Sequence, residues 1–144
     1  SHVYNNYYND IGTSSNAGYS LGPGINSQYI VENNYFGTHQ SKIVKYFDSS
    51  TSTTADTFST IYASGNTPTL SDSYTTIDSS TEATGATSSN AWTTHSVSTM
   101  PWTIEYDYDD VLEESSSLSS TIPAAAGTDK EGYCATVSVN GTTY

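Results

Sequence analysis

Arginine is absent from this 144-residue chain, and its only lysines are Lys42, Lys45 and Lys130. Against 15 aspartates and glutamates, they leave a formal net charge of -12. A protein that binds nucleic acid needs a stripe of basic groups that displaces counterions from the phosphates. The scarcity of cations therefore argues against a nucleic-acid partner.

Cysteine and long apolar runs are also scarce. The single thiol, Cys134, excludes an internal disulfide, and we expect it to be buried rather than paired with another chain. Every apolar run falls far short of the ~20 residues that cross a bilayer, so no membrane partner is expected. The chain opens at Ser1, directly in a strand-like motif, which predicts a processed product or part of a longer polypeptide.

Small hydroxyl side chains are abundant instead. There are 25 serines and 23 threonines, one third of the chain, together with 13 tyrosines. Threonine and tyrosine favour strands over helices. This composition predicts a secreted, extracellular, all-β protein.

A hexapeptide repeats after 28 positions. Val-Tyr-Asn-Asn-Tyr-Tyr at 3–8 returns as Val-Glu-Asn-Asn-Tyr-Phe at 31–36, with four identities. Such a period predicts stacked strands, and we expect residues 1–70 to form a partial solenoid, a right-handed parallel β-helix. Weaker copies are expected at 43–47 and 60–66. The alternative is two ordinary antiparallel strands that share Tyr and Asn.

The paired asparagines of the repeat are predicted to form its turns. Asparagine tolerates left-handed backbone angles, and its amide can bond to an identical amide in the next repeat. The predicted turn positions are Asn5, Asn6, Asn33 and Asn34.

The aromatic residues near these turns have two interpretations. If they face outward and align, they form a ladder on which sugar rings stack; if they face inward, they are core. The candidate residues for glycan stacking are Tyr4, Tyr8, Tyr35 and Tyr46.

Residues 71–144 are predicted to form a loop-rich tail that packs along the solenoid. Residues 71–98 are rich in Ser and Thr and suit surface coil or an O-glycosylated stretch. A short helix is predicted over 109–118 and a last strand over 133–139. Asn140 lies in an Asn-Gly-Thr acceptor for N-glycosylation.

Several segments resemble the later coils and closing tail of secreted pectate lyases of polysaccharide lyase family 1. The segments are SHVYNNYY at 1–8, AGYSLGPG at 17–24, IVENNYF at 30–36, MPWTIEYDY at 100–108 and AAAG at 124–127. The specific part of the resemblance covers residues 1 to about 47.

The resemblance implies a parent protein that cleaves polygalacturonate by calcium-dependent β-elimination. In that family the catalytic arginine and the acidic Ca²⁺ ligands precede the His-Val-Tyr-Asn-Asn strand. No catalytic residue and no Ca²⁺ ligand can therefore be assigned to this chain, and the chain alone is predicted to be inactive. The implied partners are pectate, through the parent, and upstream coils or another copy on the open end.

Other catalytic or metal-binding patterns are weak. The acidic run at 105–114 lacks the glycine and closing glutamate of an EF-hand, which favours a solvated acidic face. His2, His39 and His95 are too scattered for a zinc site, and no Gly-x-Ser-x-Gly elbow occurs. Two function classes remain: part of a pectate lyase-like enzyme, or a non-catalytic extracellular β-solenoid that binds glycans or builds filaments.

Overall fold

The computed structural model describes residues 1–9, 18–37, 43–47, 59–77 and 91–126, and the backbone of 138–139 and 142–143. The strands are β1 (His2–Tyr4), β2 (Tyr7–Tyr8), β3 (Gln28–Glu32), β4 (Tyr35–Phe36), β5 (Val44–Tyr46), β6 (Thr60–Ser64), β7 (Thr75–Ile77), β8 (Ser138–Val139) and β9 (Thr142–Thr143). The α-helices are α1 (Ala91–His95) and α2 (Leu118–Ala125), and short 3-10 turns cover Asp72–Tyr74, Asp109–Val111 and Ser115–Ser117.

The largest sheet is parallel and follows the order β1-β3-β6. Val3 pairs with Val31, 28 positions later, and Val31 pairs with Ala63 after another 32. The hexapeptides at 3–8 and 31–36 thus lie side by side in register. Their β-branched and aromatic residues suit a pleated, half-buried surface.

Two smaller parallel sheets follow. Strand β2 pairs with β4, which places Tyr8 beside Phe36. Strand β5 pairs with β7, so residues 43–47 join a separate sheet from the first hexapeptide. All these pairs are parallel, which is contrary to the antiparallel alternative; among the described strands, only β8 and β9 run antiparallel.

The core joins residues of β3, β4, β5 and β6 to α1. Half-buried aromatic side chains such as Tyr8 and Trp92 pack around it. Its buried members are Leu21, Val31, Phe36, Ile43, Val44, Tyr46, Ile61, Leu70 and Ala91.

The predicted fold class is wrong. The described residues form strands of two to five residues in small parallel sheets together with helices, so they have mixed α/β content and form no solenoid or β-helix. The all-β prediction is wrong because the threonine and tyrosine content of the whole chain does not show where helices form. Helix α1 falls in a Ser/Thr-rich stretch expected to be irregular, and α2 ends in alanines, the residues with the highest helix propensity.

The segment after residue 90 packs against the strands. Ala91 and His95 of α1 are buried, and the Trp92 amide donates to Asp72 Oδ1 at 2.8 Å. Leu118 of α2 is fully buried. The helix predicted over 109–118 is replaced by two 3-10 turns, with α2 beginning only at Leu118.

Candidate functional site

Three asparagines form a hydrogen-bonded row through the sheet turns, in which Asn6 is exposed and Asn34 and Asn66 are buried. The Asn6 backbone amide and Nδ2 donate to Asn34 Oδ1 at 3.1 and 2.9 Å. Asn34 repeats the arrangement, donating from both groups to Asn66 Oδ1 at 3.0 Å. Asn34 Nδ2 also reaches the carbonyl oxygens of Val3 and Glu32. Asn66 extends the row beyond the hexapeptides.

The residues before this row adopt left-handed backbone angles. Asn5 and Asn33 have φ of 54° and 49°, and Gly65 takes the matching position with φ of 65°. Asn5 also holds the later chain, because its Nδ2 donates to the Val111 carbonyl and its Oδ1 accepts from the Glu113 amide at 3.0 Å. Asn5 and Asn33 therefore shape the turns, and Asn5 also anchors the segment after residue 110.

A polar and aromatic cluster lies next to the turns, formed by His2, Tyr4, Glu32, Tyr106 and Tyr108; we call it the His2–Glu32 cluster. His2 Nε2 lies 3.1 Å from Glu32 Oε2, and His2 Nδ1 lies 2.7 Å from the Tyr106 hydroxyl. The Tyr108 hydroxyl donates to Glu32 Oε2 at 2.9 Å. The His2 ring stacks on Tyr4, with centroids 4.5 Å apart.

Glu32 determines the proton positions in this cluster. Its side chain is nearly buried and, when ionised, can only accept hydrogen bonds. His2 therefore donates from Nε2, and a neutral imidazole accepts from the Tyr106 hydroxyl at Nδ1. The cluster ties residues 106–108 to the edge strand β1.

Tyr108 provides a test of this hydrogen bond in solution. Desolvation and then the bond to the Glu32 carboxylate raise the pKa of Tyr108 from 10.0 to about 12. We expect the phenolate absorbance of this residue to develop near pH 12, two units later than for a free tyrosine. Because the folded pKa lies above the unfolded value, its contribution to stability is complete below pH 10 and is lost between pH 10 and 12.

Titration at 295 nm of the native protein and of Tyr108→Phe measures this shift as a difference curve. Glu32→Gln is the matched variant, because it keeps the shape of the side chain and removes the charge. It should move the transition of Tyr108 back towards pH 10. A difference curve centred at pH 10 in the native protein contradicts the hydrogen bond.

An open groove of about 730 Å³ adjoins the cluster. Trp102, Tyr106 and Tyr108 give it aromatic surface, and Asp107 and Asp109 give it carboxylates. The other lining residues are Thr99, Met100, Pro101, Thr103 and Ile104. Ring faces next to hydrogen-bonding carboxylates suit a neutral, hydroxyl-rich ligand better than an anion.

The four tyrosines proposed for glycan stacking are spread over three sheets, and only Tyr8 and Tyr35 share one, the β2-β4 sheet. Tyr46 is fully buried and stacks on His95 with centroids 3.8 Å apart. Tyr8 stacks on Phe36 at 4.8 Å, and Tyr35 meets Tyr7 edge to face. Tyr4 belongs to the His2–Glu32 cluster.

The aromatic residues of the groove were not identified as candidates from the sequence. The sequence feature that indicates them is the three aromatic residues within nine positions at 100–108, a segment that the sequence analysis connects only with the family resemblance. These side chains line one groove only when residues 100–108 pack against β1, which the sequence does not show.

The described residues contain neither a metal-binding cluster nor a membrane-spanning helix. Within those ranges, no three His, Cys, Asp or Glu side chains come together to hold a metal ion. No helix in the described part of the chain is long and apolar enough to cross a bilayer. Cys134, Asn140 and His39 lie outside the described residues.

No protein-family model, curated protein or solved structure matches this chain.

Proposed function

We propose that this chain is the carboxyl-terminal portion of a secreted, pectate lyase-like protein that cleaves polygalacturonate by calcium-dependent β-elimination. One observation carries the proposal. The two hexapeptides on which the family resemblance rests, at 3–8 and 31–36, pair residue by residue and share the Asn6–Asn34 bond. The structure makes the resembling residues of the two hexapeptides neighbours, which supports the proposal.

The chemistry assigns this chain a supporting role. β-Elimination from a uronic acid needs a base for the C5 proton and a cation that stabilises the developing charge. Arginine or bound Ca²⁺ provides such a cation, and this chain has no arginine and a net charge of -12. The reacting groups and the Ca²⁺ ligands therefore belong to other residues of the parent protein.

The edge strand β1 is the proposed contact with the rest of that protein. β1 pairs with β3 on one side and is the outermost strand of its sheet. In the asparagine row, Asn34 Oδ1 accepts from Asn6 and Asn66 Oδ1 accepts from Asn34, so by the same pattern Asn6 Oδ1 would accept from a strand added at this edge. A further strand, from upstream residues or from another copy, can pair there and donate to Asn6 Oδ1.

The test is the release of unsaturated product from polygalacturonate, followed at 235 nm with Ca²⁺ and with a chelator. The native secreted polypeptide, identified by intact mass and amino-terminal sequencing, should show calcium-dependent release. The 144-residue chain alone should show none. A native polypeptide without arginine and without product release overturns the proposal.

The aromatic groove favours a second candidate, a non-catalytic glycan-binding module. Trp102 and the exposed Tyr106 can cover the apolar faces of pyranose rings, while Asp107 accepts from sugar hydroxyls. This function needs no reaction and no residue outside the chain. Affinity electrophoresis in neutral polysaccharides tests it: retardation should be lost in Trp102→Ala and retained in Val111→Ala, an exposed apolar residue outside the groove lining.

A further inference from the structure

We propose that Tyr106 is a site of one-electron oxidation through which two copies of this chain become covalently joined. The oxidant is of the haem peroxidase class, acting with H₂O₂. It removes an electron from the Tyr106 ring while His2 takes the phenolic proton, and the tyrosyl radicals of two copies then join as dityrosine. This modification is independent of the proposed lyase activity, because it uses neither polygalacturonate nor Ca²⁺.

Tyr106 is the most exposed tyrosine in the described part of the chain, with 52% of its surface accessible to solvent. Tyr19 is also exposed, at 41%, whereas the other described tyrosines are half-buried or buried. Radicals on two protein chains can join only where both rings reach the surface. Tyr106 is therefore the described tyrosine best placed to couple with a second copy.

A proton acceptor already lies at the Tyr106 hydroxyl. His2 Nδ1 is 2.7 Å from the hydroxyl oxygen, and it carries a lone pair because Nε2 donates to Glu32. A phenol that has lost an electron is a strong acid, so its oxidation is easiest when a positioned base takes the proton in the same step. The side chain of His2 is only 5% exposed, so this base is held at the hydroxyl by the fold.

Glu32 stabilises the product of this proton transfer. Its Oε2 lies 3.1 Å from His2 Nε2, so the imidazolium that forms on oxidation faces a carboxylate. For each dityrosine, two tyrosines give up two electrons and two protons, which convert one H₂O₂ into two water molecules. The new carbon–carbon bond joins the ortho positions of the two phenol rings, and each ortho hydrogen moves to its phenolic oxygen.

Tyr108 has a proton acceptor but little exposure. Its hydroxyl donates to Glu32 Oε2 at 2.9 Å, while its ring is half-buried. The centroids of the Tyr108 and Tyr106 rings are 5.9 Å apart. An electron can cross this distance from Tyr106 to a radical on Tyr108, so coupling takes place at the exposed ring of Tyr106.

Charge determines the salt dependence of the coupling. Glu105, Asp107 and Asp109 lie next to Tyr106 in the chain and are exposed, and the chain carries a net charge of -12. Two copies therefore repel each other at low salt, whereas at about 0.15 M ionic strength the repulsion is screened beyond about 8 Å. The yield of dimer should rise as salt is added up to this concentration.

The test is treatment of the 144-residue chain with peroxidase and H₂O₂. Denaturing electrophoresis with a reductant detects the dimer, because the reductant removes any disulfide through Cys134, and mass spectrometry of peptides locates the bond. The parent chain should give a dimer linked from Tyr106 to Tyr106. Tyr106→Phe should lose this dimer, and Tyr19→Phe, the same change at the other exposed tyrosine, should retain it.

His2→Gln separates the proton acceptor from the hydrogen bonds. Glutamine can accept from Tyr106 and donate to Glu32, but it has no basic nitrogen. The variant should couple about 10²-fold more slowly, the lower end of what a positioned base contributes. Voltammetry, with Tyr106→Phe as the background, should show a higher oxidation potential for Tyr106 in this variant, and circular dichroism checks that each variant is folded.

Three outcomes overturn the proposal: no dimer or a dimer linked through other tyrosines in the parent chain, equal yields in Tyr106→Phe and Tyr19→Phe, or equal coupling rates in the parent chain and His2→Gln. None of them bears on the lyase proposal, which depends on product release by the native polypeptide.

Discussion

Replacing Asn34 with alanine is expected to lower the free energy of unfolding by about 3 kcal/mol or more. The Asn34 side chain is fully buried and accepts from two donors of Asn6 while donating to the Val3 and Glu32 carbonyls and to Asn66 Oδ1. Each buried group left without its partner costs about 1–3 kcal/mol. The loss exceeds that of a single hydrogen bond because the bonds form a connected row.

Urea unfolding followed by circular dichroism measures this loss. Asn9→Ala is the matched control, since Asn9 is exposed and its side chain accepts from the exposed hydroxyl of Tyr7 at 3.1 Å. The control should change the free energy of unfolding by less than about 0.5 kcal/mol. Equal effects of the two substitutions would show that the asparagine row contributes nothing beyond an ordinary surface amide.

Replacing Ile61 with alanine is expected to lower the free energy of unfolding by about 2–5 kcal/mol, the usual cost of a large-to-small change in a core. Ile61 is fully buried in β6, where it belongs to the core. Its carbonyl accepts from the Val97 amide at 2.9 Å. The substitution keeps this backbone hydrogen bond and removes only side-chain packing. The loss in free energy of unfolding therefore measures how much the packing of Ile61 stabilises the core.

Ile25→Ala makes the identical chemical change at a side chain that is 54% exposed. We expect it to alter stability by less than about 0.5 kcal/mol. Ile61→Val should lie between the two, at about 0.5–1.5 kcal/mol. A graded series of this kind, measured in the same urea titration, separates burial from side-chain chemistry. If Ile61→Ala and Ile25→Ala unfold at the same urea concentration, Ile61 is not part of the core in solution.

The local features of the repeat could be predicted, whereas the fold class could not. Identical residues at matched positions predict parallel neighbours, and Val3 lies beside Val31. Strand propensity, however, predicted β structure in the second half of the chain as well, where α1 and α2 form. The burial of Ala91 and Leu118 against other elements stabilises two helices of five and eight residues, which are too short to be stable in isolation.

The candidate sites show the same division. From the sequence, Lys45 is one of three cationic residues and Tyr46 is one of the residues predicted to stack on a glycan. Alternation along β5 places neighbouring residues on opposite faces, so Tyr46 is buried under His95 while Lys45 lies near the exposed Tyr19. The alternation of side chains along the sequence does not show which face of β5 meets the core, because that depends on how the other elements pack.

The amino acid sequence by itself determined the acidity of the chain, the absence of arginine and an internal disulfide, and the repeated hexapeptide with its paired asparagines. Those properties depend on residue identity and spacing, which need no knowledge of long-range contacts. The tertiary structure decided the mixed α/β content, the meeting of His2 with Glu32, Tyr106 and Tyr108, and the convergence of Tyr19 with Lys45 and Phe47. Such groupings join residues up to 106 positions apart, such as His2 and Tyr108, and packing brings them together only when the whole core forms.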